Sequence, residues 1–398
     1  MSNSLVTIDM VTREALRIAH EKCQFIGTVD RQYDDSFAKT GAKIGTALRV
    51  RKPNQYTRTT GSRVMDVQDQ AESNGTITVA TQDHVDMRFN SAELALSIDE
   101  ISKRYIEPAV SVLVSGIEAD FLAFAAKSTY NLVGTDNTAI TTLDVPGKAR
   151  ARLNQCLAPK GDRSIQVDSV TMGSLVNGMA SYFNPSSAIG EQYKEGLIAR
   201  TAMADYYENE RVWSMPNAAD VATTLDTYTV TEGDADITVA ALSAAPVAGM
   251  VFTIAGVYDV HPETKTAYSH LKQFVVGTGS TTTNVVFSPA PYSSASGALQ
   301  NVSAMPATTA AVTFFGTASK TYVQPLMYHK EAFQFVTADL PLMDDAAKCV
   351  RRMQDGLSMR VWQASDIRND ELLMRIDILY GMAALRPEWA CRLSGLYN

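Results

Sequence analysis

The chain has 398 residues, 45% of them hydrophobic and 20% charged, enough for two to three domains of roughly 150 residues and too apolar for an intrinsically disordered protein. Its 35 basic residues against 43 acidic ones give a formal net charge of −8. That balance argues against nucleic acid as the main partner, because neutralising phosphates needs a basic face.

Residues 1–40 read as an N-terminal arm, in which Thr12 caps a short helix from Arg13 to Lys22 and a polar, turn-rich stretch runs from Asp30 to Ser36. Residues 41–92 are strand-rich and segregated in charge. Lys43, Arg49, Arg51, Lys52, Arg58 and Arg63 follow one another without an acid, and Asp66, Asp69 and Glu72 come after them. Asn74-Gly75 is a turn signal, and 76–80 and 84–89 alternate like strands, so the segment reads as a long two-stranded excursion with a polar tip. A ribbon this polar is not stable alone in water and needs a neighbour to lie on.

Ser97 and Glu100 form a capping box that opens a helix. Pro108 starts a second helix near its first turn, and Val110, Leu113, Val114, Ile117, Phe121 and Phe124 then fall at helical spacing up to about Ser128. Pro146 to Leu157 is expected to be helical, Ser169 to Met172 to be a strand leading into a helix through Tyr182, and Glu191 to Gly196 to be a short helical turn. From about Asn217 the composition changes. No arginine occurs between Arg211 and Arg351, and threonine, alanine, valine and glycine dominate up to Lys320. Short alternating runs at 227–230, 237–239, 250–254, 274–276, 285–287 and 312–315 predict a small antiparallel barrel or sandwich inserted into the domain around it. Mixed α/β character returns after Thr321.

No motif for catalysis or metal binding emerges. His20, His84, His261, His270 and His329 fit no zinc spacing, and neither a Walker lysine loop nor a G-x-S-x-G elbow is present. His84, between Asp83 and Asp86, reads as a surface strand residue. Asp99-Glu100 reads as a helix first turn, Asp344-Asp345 as a loop, and Thr231 to Asp236 as a turn that lacks the last glutamate of a calcium loop. Tyr206, Tyr207 and Trp213 read as packing residues. Cys23, Cys156, Cys349 and Cys391 stand far apart and read as reduced thiols in a cytoplasmic protein. The first ten residues show no leader pattern, and no window comes near the roughly 20 apolar residues of a membrane span. The acid-free basic run reads either as a solvated face or as a contact with an acidic neighbour; in the second reading Arg49, Arg51, Lys52, Arg58 and Arg63 are the candidate intersubunit contacts. Exposed ion pairs contribute only about 0–1 kcal/mol each, so such contacts would set register and partner choice more than strength.

The order of parts (arm, polar hairpin, long helix, α/β unit, inserted β segment, return) resembles the tailed-phage major-capsid fold, known as the HK-ninety-seven fold. Four stretches are similar to the P-twenty-two-type coat proteins: Phe183-Asn-Pro185; Glu191 to Arg200, leading to Tyr207; Phe252 to Pro262 inside the insert; and Asp377 to Gly381 with Leu385-Arg-Pro-Glu388. Ala202-Met-Ala204 departs from the glycine turn that the family often has there. The resemblance implies an α+β chain with an inserted small antiparallel β-barrel domain. Its parts would be an arm at 1–40, an extended loop at 41–92, a peripheral domain with a spine helix at 93–135, an axial domain at 136–216 and 323–375, the insert at 217–322, and a C-terminal return at 376–398. It further implies a major capsid protein, not an enzyme, that builds an icosahedral shell around double-stranded DNA without sequence-specific binding, and that needs no cofactor, metal or membrane. Its partners would be further copies in hexamers and pentamers, a scaffolding protein and a portal. It would assemble in the host bacterial cytoplasm and reside in the virion. The competing expectation, drawn from the threonine-rich β segment, is an extracellular adhesin or carbohydrate-binding structural protein.

Overall fold

The computed structural model describes residues 8–34, 47–51, 54–58, 60–61, 67, 74–90, 105–179, 204–226, 230–343, 348–354, 356–366 and 371–396. In chain order, α1 (Ile8–Lys22), the single turn α2 (Phe25–Thr28) and β1 (Asp30–Asp34) are followed by β2 (Ala47–Arg51), β3 (Asn74–Thr78) and β4 (Thr81–Asn90). Then come α3 (Glu107–Ser128), β5 (Leu132–Gly134), α4 (Asp144–Gln155), β6 (Arg163–Val167) and α5 (Ser169–Met179). The middle of the chain holds β7 (Asp205–Glu208), β8 (Ser214–Pro216), β9 (Ala222–Thr224), β10 (Asp236–Thr238), β11 (Val251–Val260), β12 (Ala267–Val276), β13 (Asn284–Ser288) and β14 (Ala311–Phe314). The last strands are β15 (Thr321–Val323), β16 (Leu326–His329), β17 (Phe333–Ala338), β18 (Lys348–Gln354), β19 (Leu357–Asp366), β20 (Glu371–Ala384) and β21 (Ala390–Ser394). Two compact units result, one of Met1–Val50, Asn74–Phe121 and Phe333–Leu385, the other of Arg51–Ser73, Leu122–Ala332 and Arg386–Asn398.

The first unit is organised by β20, which pairs antiparallel with β17, β19 and β4; β1 extends the sheet beyond β17 and β18 beyond β19. The sheet's inner face meets α2 and α3 through aromatic rings. Phe121 lies 4.8 Å from Phe25 and 5.5 Å from Phe335, whose ring stacks on Tyr380 at 5.5 Å. Pro108 occupies the second position of α3, where a missing N–H costs nothing, and Val110, Leu113, Val114, Ile117 and Phe121 are all buried. Buried Glu118 lies among them and accepts the N–H groups of Phe25 (2.8 Å) and Ile26 (3.4 Å), which start α2 and have no partner within that helix. By length and composition α3 would suit a membrane span, contrary to the expectation that no window comes near one. Its apolar side is spent on this core.

Two local expectations for this unit are corrected. Thr12 does not cap α1 but is buried inside it, because the helix begins at Ile8. Asn74-Gly75 is not a turn but opens β3, which pairs with β2, so strand pairing overrides local turn propensity. The strand expected at 84–89 lies within β4, which runs along ten residues of β20. The predicted capping box at Ser97 and Glu100 and the acids at Asp344-Asp345 lie outside the described residues.

The second unit contains a five-stranded sheet in the order β5-β21-β16-β6-β7, parallel at its two margins and antiparallel inside. Every residue of β6, β16 and β21 is buried. The stretch expected as a strand at 169–172 is the start of α5, since Asp168 caps the helix by accepting the Thr171 N–H at 3.0 Å. From this sheet the chain leaves through β8 and returns through β15, and these two strands pair with each other. Between them a six-stranded antiparallel sheet, β10-β13-β12-β11-β14-β9, curls until Leu225 and Val239 bridge its two ends. Phe252, Phe274, Phe287 and Phe314 fill it, with ring centres 5.3–5.9 Å apart. Thr231 to Asp236 forms a turn, with the Thr231 N–H donated to the Asp234 carboxylate at 2.8 Å and Gly233 at φ 86°.

Candidate intersubunit surface

The β2–β3 hairpin is fixed to the first unit at its root. Alternation along β3 and just past it turns Ile77 and Val79 inward, both fully buried against Val336, Ala338, Leu340, Leu379 and Ala383, while Thr76, Thr78 and Ala80 stay exposed. Burial of such side chains contributes roughly 1.5–3 kcal/mol each. The approach is close enough to require a glycine in β20, since a Cβ on Gly381 would stand 2.5 Å from the Thr78 carbonyl oxygen. Of the candidate contact residues, Arg49 and Arg51 lie in β2, Arg58 is exposed, and Lys52 and Arg63 lie outside the described residues. Tyr56, two residues before Arg58, is 57% exposed.

The same sheet carries an open patch that the sequence patterns did not single out. Arg375 on β20 grips Asp86 on β4 with both arms of its guanidinium, at 2.6 and 2.8 Å, and this holds the Asp86 carboxyl below its usual range. Arg88 pairs with Glu371 at 3.2 Å. Trp362 on β19 lies between the guanidiniums of Arg360 and Arg375, each under 6 Å from its ring centre. Together with Ala364 and half-exposed Leu373 it lines a pocket of about 290 Å³. Beside this patch, on the same face, Arg360 and Asp377 form a buried bidentate pair at 3.1 and 2.5 Å; Gln82 adds a hydrogen bond to Asp377, and Arg360 also donates to the Pro341 carbonyl. Here the charges are neutralised within the sheet around an apolar depression. The signal that could have found it is the period-two alternation of β19 and β20, which places Trp362, Leu373 and Arg375 on one face.

In the second unit the most strongly perturbed carboxylate is Asp259 on β11. Burial raises its pKa, but His270 (3.4 Å) and Lys272 (2.8 Å) more than reverse this, bringing it to about 2, and Arg152 of α4 stands at 3.8 Å. A carboxylate this thoroughly paired is a structural anchor. Among the described residues, no three His, Cys, Asp or Glu side chains are grouped to hold a metal ion, and all four cysteines are free thiols.

The family model described as P22 coat protein (gene protein 5) matches residues 58–395. The chain belongs to the P22 coat protein family. As a coat protein it is a major capsid protein with a structural role, a component of the virion that assembles into capsid oligomers, and the adhesin alternative is not favoured. Among solved structures, one titled Mycobacterium phage Che8 is 10% identical, covers 93% of this chain and 90% of its own, and gives a TM-score of 0.49. The capsid of cyanophage P-SCSP1u is 13% identical with coverages of 92% and 86% and a TM-score of 0.42. The CUS-3 coat protein I-domain is 30% identical over 25% of this chain and 97% of its own, with a TM-score of 0.19. No curated protein sequence matches.

Proposed function

We propose that this coat subunit builds the icosahedral shell of a tailed phage around double-stranded DNA, from hexamers and pentamers, with a scaffolding protein and a portal, in the cytoplasm of the host bacterium and without catalytic turnover. The extended loop at about 41–92 would lie across the adjacent subunit, and α3 would be the spine helix of a peripheral domain. The axial domain would be the five-stranded sheet with α4 and α5, and the insert at 217–322 would be a small barrel on the outer surface. In this reading β17 to β20, which share a sheet with β1 and β4, would belong with the peripheral domain and not with the axial part expected at 323–375.

The observation that carries the reading is the build of the hairpin. Its root is buried through Ile77 and Val79, whereas beyond the root Gln55, Tyr56 and Arg58 are exposed. A buried root followed by exposed Gln55, Tyr56 and Arg58 is the pattern expected of a segment that reaches a neighbouring subunit. Reversing charge at Arg49, Arg51 and Lys52 together should therefore leave the subunit's circular dichroism and unfolding midpoint unchanged, while assembly, followed by sedimentation, fails or acquires a new salt dependence. Normal shells from the triple variant would refute the role given to the hairpin.

A further inference from the structure

Strand β5 stands at the end of its sheet, paired with β21 on one side. The Arg392 N–H donates to the Asn131 carbonyl at 2.8 Å, and backbone groups alternate in direction along a strand. Leu132 therefore turns its N–H and C=O away from β21, toward the open edge. Unpaired groups on an edge are a template for pairing with another chain.

Here the edge is met by a side chain from the inserted sheet. Gln273 of β12 donates its Nε2 to the Leu132 carbonyl at 2.8 Å and accepts the Leu132 N–H on Oε1 at 2.9 Å. A primary amide offers one donor and one acceptor side by side, as the peptide of a neighbouring strand does. Other residues on or beside the inserted sheet fasten the same stretch. Lys272 places its ammonium 5.0 Å from the Tyr130 ring centre. Thr317 and Tyr322 donate their hydroxyls to the Asp136 carboxylate. The Gly249 carbonyl accepts at 2.8 Å from the fully buried Arg392 of β21.

We propose that the inserted sheet caps the edge strand β5, with Gln273 standing in for a missing strand, and that this closes the edge against pairing with other copies of the chain. The hydrogen bonds hold whatever the protein does; only the choice of competitor, a second copy, rests on the coat-protein reading, since a shell protein accumulates at high local concentration.

The test uses the full chain and two substitutions, Gln273→Leu and Gln273→Glu, with amide hydrogen exchange at Leu132 as the readout. Gln273→Leu should raise Leu132 exchange at least tenfold over the wild type while amides of β11 and β13 keep their protection, and refolding should give association that grows with chain concentration. Gln273→Glu keeps an acceptor for the Leu132 N–H but at neutral pH sets a carboxylate against the Leu132 carbonyl, so Leu132 exchange should rise by a smaller factor. Below the carboxyl pKa, its protonated acid again offers a donor and an acceptor, so protection at Leu132, taken relative to wild type at the same pH, should return. The Glu variant keeps the test decisive if the Leu variant fails to fold. Unchanged Leu132 exchange, loss of protection spread evenly over the sheet, or absence of a return at low pH would each overturn the proposal. Capping without concentration-dependent association would overturn its second half, and failure of shell assembly alone bears on the coat reading instead.

Discussion

Phe121→Ala tests the packing of the first unit. Phe121 is fully buried, and its ring touches Phe25 at 4.8 Å and Phe335 at 5.5 Å, with Phe333 and Tyr380 continuing the cluster. Truncating a buried Phe costs about 3–5 kcal/mol through lost transfer energy and the cavity left behind. Two aromatic contacts of about 0.5–1.5 kcal/mol each put this site in the upper half of that range. α2 and β17 supply the cavity walls and are themselves fixed by Glu118 and by strand pairing, so collapse into the void is limited. Urea unfolding of the unassembled subunit should show a midpoint lowered accordingly at unchanged slope. Val112→Ala on the opposite face of the same helix, where Val112 is 67% exposed, should stay within about 0.5 kcal/mol. A loss below about 1 kcal/mol at Phe121, or equal losses at both sites, would refute the assignment of the buried face.

Asp377→Ala leaves the Arg360 guanidinium buried without its partner and should cost about 3–5 kcal/mol, whereas the apolar double variant Arg360→Met with Asp377→Leu should unfold within about 2 kcal/mol of wild type; equal losses by urea unfolding would contradict this. Asp259 has a folded pKa of about 2 against an ordinary 3.8. A depressed carboxyl stabilises above roughly pH 4 and loses that contribution as pH falls toward 2, an increment of roughly 2 kcal/mol. Unfolding measured between pH 6 and 2 should show wild type losing this increment and Asp259→Asn lacking it; parallel pH profiles would contradict the assignment.

How far the fold is legible in the sequence depends on the range of the forces. Pro108 and the spacing of Val110, Leu113, Val114, Ile117 and Phe121 mark α3, because position and period are local. The runs that became β10 to β14 are equally plain, since alternation survives in a sheet with one face on the core. The pairing of β4 with β20 joins residues almost 300 positions apart, and no local pattern encodes that register. Asn74-Gly75 misleads because its partner strand is β2, and that pairing draws both residues into β3. The helix start at Ser169 was within reach, because Asp168 is a strong N-cap type, but the apolar Val170 and Met172 read as a strand. At the candidate surface the basic run was visible, while the Trp362 patch was not. Its residues come from β4, β19 and β20 and share a face only once the sheet is assembled. Gln273 was hidden for a related reason: a glutamine in a strand carries no sign that its amide serves another strand.

The most direct test of the central claim is electron microscopy of the full chain co-expressed with a scaffolding protein. Closed shells of uniform curvature, built from sixfold and fivefold clusters of this one chain, are the predicted result. A chain that stays monomeric, or forms only irregular aggregates, while circular dichroism shows it folded and the scaffolding protein is present, would contradict its role as the shell subunit.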